Sequence, residues 1–352
     1  MFQPPFCPNP NCSSELASSP FQYHRRGFYR RRCDGRRIPR FLCLICERGF
    51  SSQTFRGNYR YRLPTLHHQL MGYLVSKVTR RQAARILQVN RKTVERRFKR
   101  FSRVAHDFHF AQLNSKKERG GIRGSFQLDE LETFEHNRRI KPVTLAVTME
   151  RHSYFVIGAY AGAMASRGRL SLQYQKRKTE IDLVEGKRRS QSRDVVRKSF
   201  DRMSHYLCRN SAVLLQSDQK TTYPVELRRA FPHRLLHHEV TSSKARRCYS
   251  NPLFPINHTL AMMRDGMSCL VRRSWAAPKN KSGLRRHCWI WIAWRNYVRG
   301  VTNRTRTTPA QALGVCSRGL KMGDLFRWRW PLRNLPRHIE GGQIQLLTSG
   351  SG

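Results

Sequence analysis

LLQSDQKTTYP, Leu214 to Pro224, is a short apolar run that closes on a carboxylate, and the elements around it are ordered by what that run forms. Four to eight apolar residues bounded by polar ones mark a strand buried on both faces, as in a parallel sheet, so AVLLQSD (212–218) predicts such a strand with Asp218 at its carboxyl end. The chain holds only 22 Asp and Glu against 68 Lys and Arg. A carboxylate in that background either neutralises a neighbouring arginine or is placed for chemistry, and its sequence neighbours bear on the choice.

Upstream, SFQLDELETF (125–134), PVTLAVTMER (142–151) and SYFVIGAYAGA (153–163) read as three consecutive strands rich in Val, Phe, Thr and Tyr. RDVVRKSFDRMSHYLC (193–208) sets Val195, Val196, Phe200, Met203 and Leu207 on one helical face. Downstream of Asp218, PVELRRAF (224–231) predicts a short helix and HRLLHHEV (233–240) a fifth strand. Three strands, helix, strand, helix, strand, helix is the order of an RNase H-like fold, a mixed sheet flanked by helices. In that order the first strand is central and pairs with the fourth, which sets Asp129 beside Asp218. Two converging carboxylates repel unless a cation lies between them, and Mg²⁺ (or Mn²⁺) is the expected occupant. Such a pair suits two-metal phosphoryl transfer. The alternative is that both aspartates are surface charges paired with arginine.

Composition narrows the partner. A net charge of +46 over 352 residues calls for a polyanion, and nucleic acid is the commonest. An apolar fraction of 39% is too rich for a disordered basic tail. The amino terminus shows no secretory pattern, and CWIWIAW (288–294) is too short to cross a bilayer and suits a core helix. The expectation is a cytoplasmic, nucleoid-associated protein with reduced thiols and no membrane partner. Five of ten cysteines fall within the first 46 residues. Cys7 and Cys12 in CPNPNC, with Cys43 and Cys46 in CLIC, form two close pairs across a longer loop, the layout of a zinc ribbon in which four thiolates converge on Zn²⁺. Cys33 is an alternative ligand. From Leu66 to about Ala105 the pattern turns helical. Thr79 and Gln82 form a capping box, Ala83, Ala84, Ile86 and Leu87 share a face, and Asn90 can cap a second helix that buries Val94, Phe98 and Phe101. That is a helix-turn-helix whose second helix presents Arg91, Lys92, Arg96, Arg97 and Arg100 to DNA.

Taken in order, CPNPNC, FLCLICERGFSSQTF, the helix-turn-helix, LDELETF, LLQSDQKTTYP and LFPINHTLAMMRDGMSCLVRRSW resemble an insertion-sequence transposase of the zinc-ribbon DDE group, from Cys7 to about Trp330. The resemblance implies that Asp129 and Asp218 are the first two catalytic carboxylates and that the third position falls on Asn257, where the family usually has Glu. An amide oxygen can ligate Mg²⁺ but brings no charge. Arg264, seven residues on, and Lys279 would grip DNA, and His258 is a second candidate beside Asn257. Among other carboxylates, Glu130 and Glu132 alternate to the strand face opposite Asp129, Glu135 lies past its regular part, and Glu239 is an outside choice for the third ligand. The implied activity is metal-dependent strand cleavage and strand transfer at element ends, by an oligomer on double-stranded DNA. A DNA-binding protein that has lost the chemistry is the other class.

The expected layout is multidomain α/β: ribbon 1–62, helix-turn-helix 63–110, linker 111–124, catalytic domain 125–335 with an irregular basic arm at 166–193, and a flexible tail at 336–352.

Overall fold

The computed structural model describes residues 2–15, 21–56, 59, 61, 63, 66–166, 168–246, 248–271 and 276–326. The expected tail at 336–352 lies outside them. The described residues divide into two compact units, those up to 67 with 323–326, and those from 68 to 322.

In the first unit, strands β1 (Tyr23–Arg30), β2 (Arg37–Cys43) and β3 (Gly49–Ser51) form an antiparallel sheet in the order β1-β2-β3. Its core is aromatic. Phe41 opposes Phe50 in the ladder with their rings stacked at 5.6 Å, while Tyr23 and Phe55 meet these two rings edge-on. So small a sheet buries little else, which leaves its cysteines to supply the remaining order.

The second unit opens with α1 (Leu66–Leu74, its first residues at the boundary), α2 (Arg80–Ile86) and α3 (Arg91–Glu118). The capping box at Thr79 and Gln82 forms, and the Asn90 side chain accepts from the Lys92 amide, as their spacing implies. Ile86 is exposed, not on the buried face with Ala83 and Ala84. Residues 111–118 are not a linker. Ala105, Phe108 and Leu113 continue the stripe of Val94, Phe98 and Phe101 at helical spacing, so the polar sequence after them is simply the last turns of α3, which packs along α8 (Lys281–Tyr297). The helices and the sheet are therefore one unit rather than two domains. Gly120 and Gly121 end α3 with positive φ. A Cβ on Gly121 would stand 2.7 Å from the Cys208 backbone nitrogen, so only glycine lets the chain pass there.

A five-stranded mixed sheet follows, in the order β6-β5-β4-β7-β8, formed by β4 (Ser125–Phe134), β5 (Pro142–Glu150), β6 (Val156–Ala163), β7 (Val213–Asp218) and β8 (Leu236–Thr241). The first three are antiparallel neighbours; β7 runs parallel to both β4 and β8. β5 is buried at every position, as a strand covered on both faces must be. On one face Leu131, Leu145, Val147 and Met149 pack against Ile256, Leu260 and Met263 of α7 (Phe254–Gly266) and Trp291 of α8. On the other lie α5 (Ser192–Tyr206), which buries Val196, Phe200 and Met203, and α6 (Thr222–Ala230).

The basic stretch 166–193 is not irregular: it holds α4 (Leu172–Glu185), a helix with no buried residue. Its periodicity is silent in the sequence because no face of it meets a core. Strong helix formers and the Lys178–Asp182 pair one turn apart suffice locally. A last short helix, α9 (Pro309–Ala312), starts at Thr308 with Pro309 in its first turn. Among the described residues no helix is long and apolar enough to cross a membrane.

Two buried histidines tie helices together. His287 donates to the Leu74 carbonyl at 2.6 Å with Cys269 beside its other nitrogen, and His109 donates to the Ile157 carbonyl at 3.0 Å and accepts from the Tyr297 hydroxyl. Burial lowers both to about 4, with Arg80 acting in the same direction on His287 and His106 and Arg202 on His109, against the backbone bonds. Below pH 6.5 the unfolded chain takes up protons that the folded chain refuses, so stability is full above that pH and falls as pH drops toward 4. Each histidine contributes on the order of 3 kcal/mol to that loss. Urea unfolding at pH 7 and pH 4.5 is expected to show it, and His109→Gln with His287→Gln to flatten the dependence.

Candidate functional site

Each unit carries a cluster. In the first, Cys12 lies in a turn where its amide donates to the Asn9 carbonyl, and Cys43 closes β2 in a tight turn where the Glu47 amide returns to the Cys43 carbonyl, Glu47 at φ 54°. These turns bring the four Sγ atoms of Cys7, Cys12, Cys43 and Cys46 within 4.8 Å of one another. The Cys7–Cys46 and Cys12–Cys43 separations of 3.6 and 3.7 Å match the edge of about 3.8 Å of a tetrahedron with metal–sulfur bonds of about 2.3 Å. Burial pushes the Cys7 thiol up. At the rim, burial opposes ionisation of Cys46, yet hydrogen bonds from Asn9 and the Arg48 amide draw it down to about 6, which readies a thiolate for a metal ion. Cys33 is exposed and outside the group.

The second cluster lies where β4 meets β7. Their ladder pairs Ser125 with Leu214, Phe126 with Leu215 and Gln127 with Gln216. Asp129 and Asp218 each lie two residues past that last pair, so the register carried forward sets them opposite one another at the carboxyl end of β7. Among the described residues Asp218 forms no ion pair; its Oδ1 accepts the Lys220 amide at 3.3 Å, and the Asp129 Oδ1 accepts the Glu130 amide at 2.7 Å. The joint field is felt at the buried Tyr223, whose phenol is raised well above its ordinary range by burial and then by Glu130, Asp218 and Asp129 in turn.

Asn257 lies half-buried in the first turn of α7. That turn is fixed to β4 by the Gln127 side chain, which accepts from the Ile256 amide at 2.9 Å and donates to the Pro252 carbonyl at 2.7 Å. Gln127 and Asp129 share a face of β4, the face on which α7 packs. His258 turns elsewhere: its ring stacks on Phe254 at 5.8 Å and meets Tyr154 edge-on. Arg264 is half-buried in the last turn of α7, two turns from Asn257, whereas the exposed Lys279 precedes the Asn280 cap of α8 and is not on α7.

The other carboxylates are committed. Glu239 pairs in register with Gln216, not Asp218, and accepts from its side chain at 2.6 Å. Glu135 is buried, pairs with Arg188 at 2.8 Å and accepts the Lys281 amide. Glu130 faces α5 and α6, where Thr144, Ser192, Lys220 and Tyr223 all donate to it. Strand alternation alone puts Glu130 on the face opposite Asp129, but its four donors are gathered only by the fold. Only Lys220 and Tyr223, in the quoted stretch after Asp218, carried a signal.

On α3, Arg91, Lys92 and Arg96 are exposed and Arg100 is half-buried. Arg97 is not outward: three residues after Val94 and beside Phe98, it falls on the buried stripe and is 5% exposed.

No protein-family model matches this chain, and no curated protein does. The thiol cluster predicts one tightly held metal ion per chain by elemental analysis, lost on Cys43→Ala and kept on Cys33→Ala.

Proposed function

We propose that this chain is a DNA transposase of the zinc-ribbon kind, which cleaves element ends and joins them to target DNA on an RNase H-like domain. The observation that carries this reading is the parallel β4–β7 register at Gln127 and Gln216, from which Asp129 and Asp218 each lie two residues on. The sheet order, with a central first strand parallel to the fourth, agrees with it.

The donor set fits a hard divalent cation. Asp129 and Asp218 offer carboxylate oxygens, and Asn257, on the α7 turn docked to the same face, offers a neutral amide oxygen. Bound there, Mg²⁺ or Mn²⁺ supplies the charge that in-line phosphoryl transfer needs. The chain's own residues bind and orient. Arg264 and Lys279 offer cations to phosphates near the carboxylates. Arg91, Lys92, Arg96 and Arg100 offer a basic face at the start of α3, the second helix of a helix-turn-helix, for the major groove and its flanking phosphates. Zn²⁺ in the four-cysteine site orders the ribbon. A charge of +46 makes DNA binding strong and salt-dependent, and joining two ends calls for an oligomer on DNA.

Asn257 favours a second reading, a transposase-derived DNA-binding protein without chemistry, because the third ligand brings no charge. A labelled duplex carrying the element's terminal repeat, incubated with Mg²⁺ or Mn²⁺, separates the two. Wild-type protein is expected to cleave it, and Asp129→Ala and Asp218→Ala to lose cleavage by at least about 10³-fold while keeping end binding. Binding without cleavage in either metal supports the second reading, and loss of binding in Asp218→Ala makes that residue structural.

A further inference from the structure

The hydrogen-bonded ladder between β4 and β7 stops at Gln127 and Gln216, two residues short of the aspartates. Something else must fix the end of β7 against the middle of β4, which runs on to Phe134 paired with β5. Beyond the ladder, β7 turns through residues 219–221 into α6, and Lys220 stands at the apex of that turn with its two nitrogens tied to different strands. Its backbone amide donates to Asp218 Oδ1. Its ammonium donates to Glu130 Oε2, on the residue next to Asp129, and to the Ser192 hydroxyl at 2.6 Å.

We propose that Lys220 is a positioning residue: anchored on Glu130, it holds the carboxyl end of β7 so that Asp218 stays opposite Asp129 for a divalent cation. This rests on the reading of the two aspartates as metal ligands.

The anchor is built for the task. The Glu130 side chain is 8% exposed, and its two oxygens take all four donors, Thr144 and Ser192 on Oε1, Lys220 and Tyr223 on Oε2. Those donors come from β5, the start of α5, the turn after β7 and the start of α6, so one carboxylate fastens these four segments to β4 beside Asp129. A carboxylate so saturated has no lone pair directed at a metal and acts only through what it holds. The neighbouring positions reinforce the division of labour, since adjacent residues of a strand point to opposite faces: Asp129 to the side of α7, Glu130 to the side of its anchor.

Coulomb energy and positioning make opposite predictions. An ammonium near a cation site repels the cation, so its removal by charge alone tightens metal binding. If Lys220 sets the geometry, its removal weakens binding by about 10- to 100-fold, the usual cost of losing a residue that orients a ligand.

The test is Mn²⁺ binding to the full chain, its cysteine site already loaded with Zn²⁺, followed by the loss of free-Mn²⁺ electron paramagnetic resonance signal. Asp218→Ala is expected to abolish the site and Lys220→Met to weaken it by about 10- to 100-fold. Lys220→Arg, which keeps the charge and a donor, is expected to recover part of the affinity. Glu130→Gln keeps the shape and removes the ion pair, and is expected to weaken binding both by loosening the turn and by the lost negative charge, so Lys220→Met is the variant that separates positioning from charge; a matching thermal unfolding temperature shows that each variant is folded. Mn²⁺ affinity that is unchanged or tighter in Lys220→Met, with Asp218→Ala still inactive in binding, overturns the positioning role alone. Affinity unchanged in Asp218→Ala overturns the metal reading of the aspartates and this inference with it.

Discussion

The buried amide of Gln127 is the contact on which the sheet unit depends. It donates to the Gln216 side chain of β7 at 2.8 Å and to the Pro252 carbonyl, and accepts from the Ile256 amide, so one side chain joins the central strand, its parallel neighbour and the start of α7. Gln216 passes the link on to Glu239 of β8. Completely buried polar groups must be satisfied or cost about 1–3 kcal/mol each, and here an apolar substitute would strand an amide, a carbonyl and a second glutamine together. The register of β4 against β7 and the seat of α7 are thereby one decision. Asp129, Asp218 and Asn257 inherit their places from it.

Much of this was legible in the chain. The succession of strands along the chain followed from β-branched and aromatic runs interrupted by amphipathic helices, because both faces of the sheet are covered and the patterns are strong. Thr79, Gln82 and Asn90 declared the helix starts through local hydrogen bonding that needs no tertiary context. The cysteine spacing implied a four-thiol group, and the four Sγ atoms do converge.

What the chain concealed has a common cause. Arg97 reads as a solvent charge because residue type outweighed its position three after Val94. The end of α3 reads as a linker because its last turns are polar, although the apolar stripe runs up to them. α4 was hidden by having no core to face. The Glu130 anchor was hidden most thoroughly, since its donors lie 14 to 93 residues away and only the folded sheet gathers them.

α3 has a further meaning in its length. Its 28 residues make a rod of about 42 Å, seated along α8 for part of its course and entering β4 only seven residues after it ends. The basic amino end of that rod therefore belongs to the same compact unit as the strand that bears Asp129. A ligand bound there would be held at a set offset, as a ruler holds its marks. Each residue added to or removed from the helix would shift that offset by about 1.5 Å and turn it by about 100°.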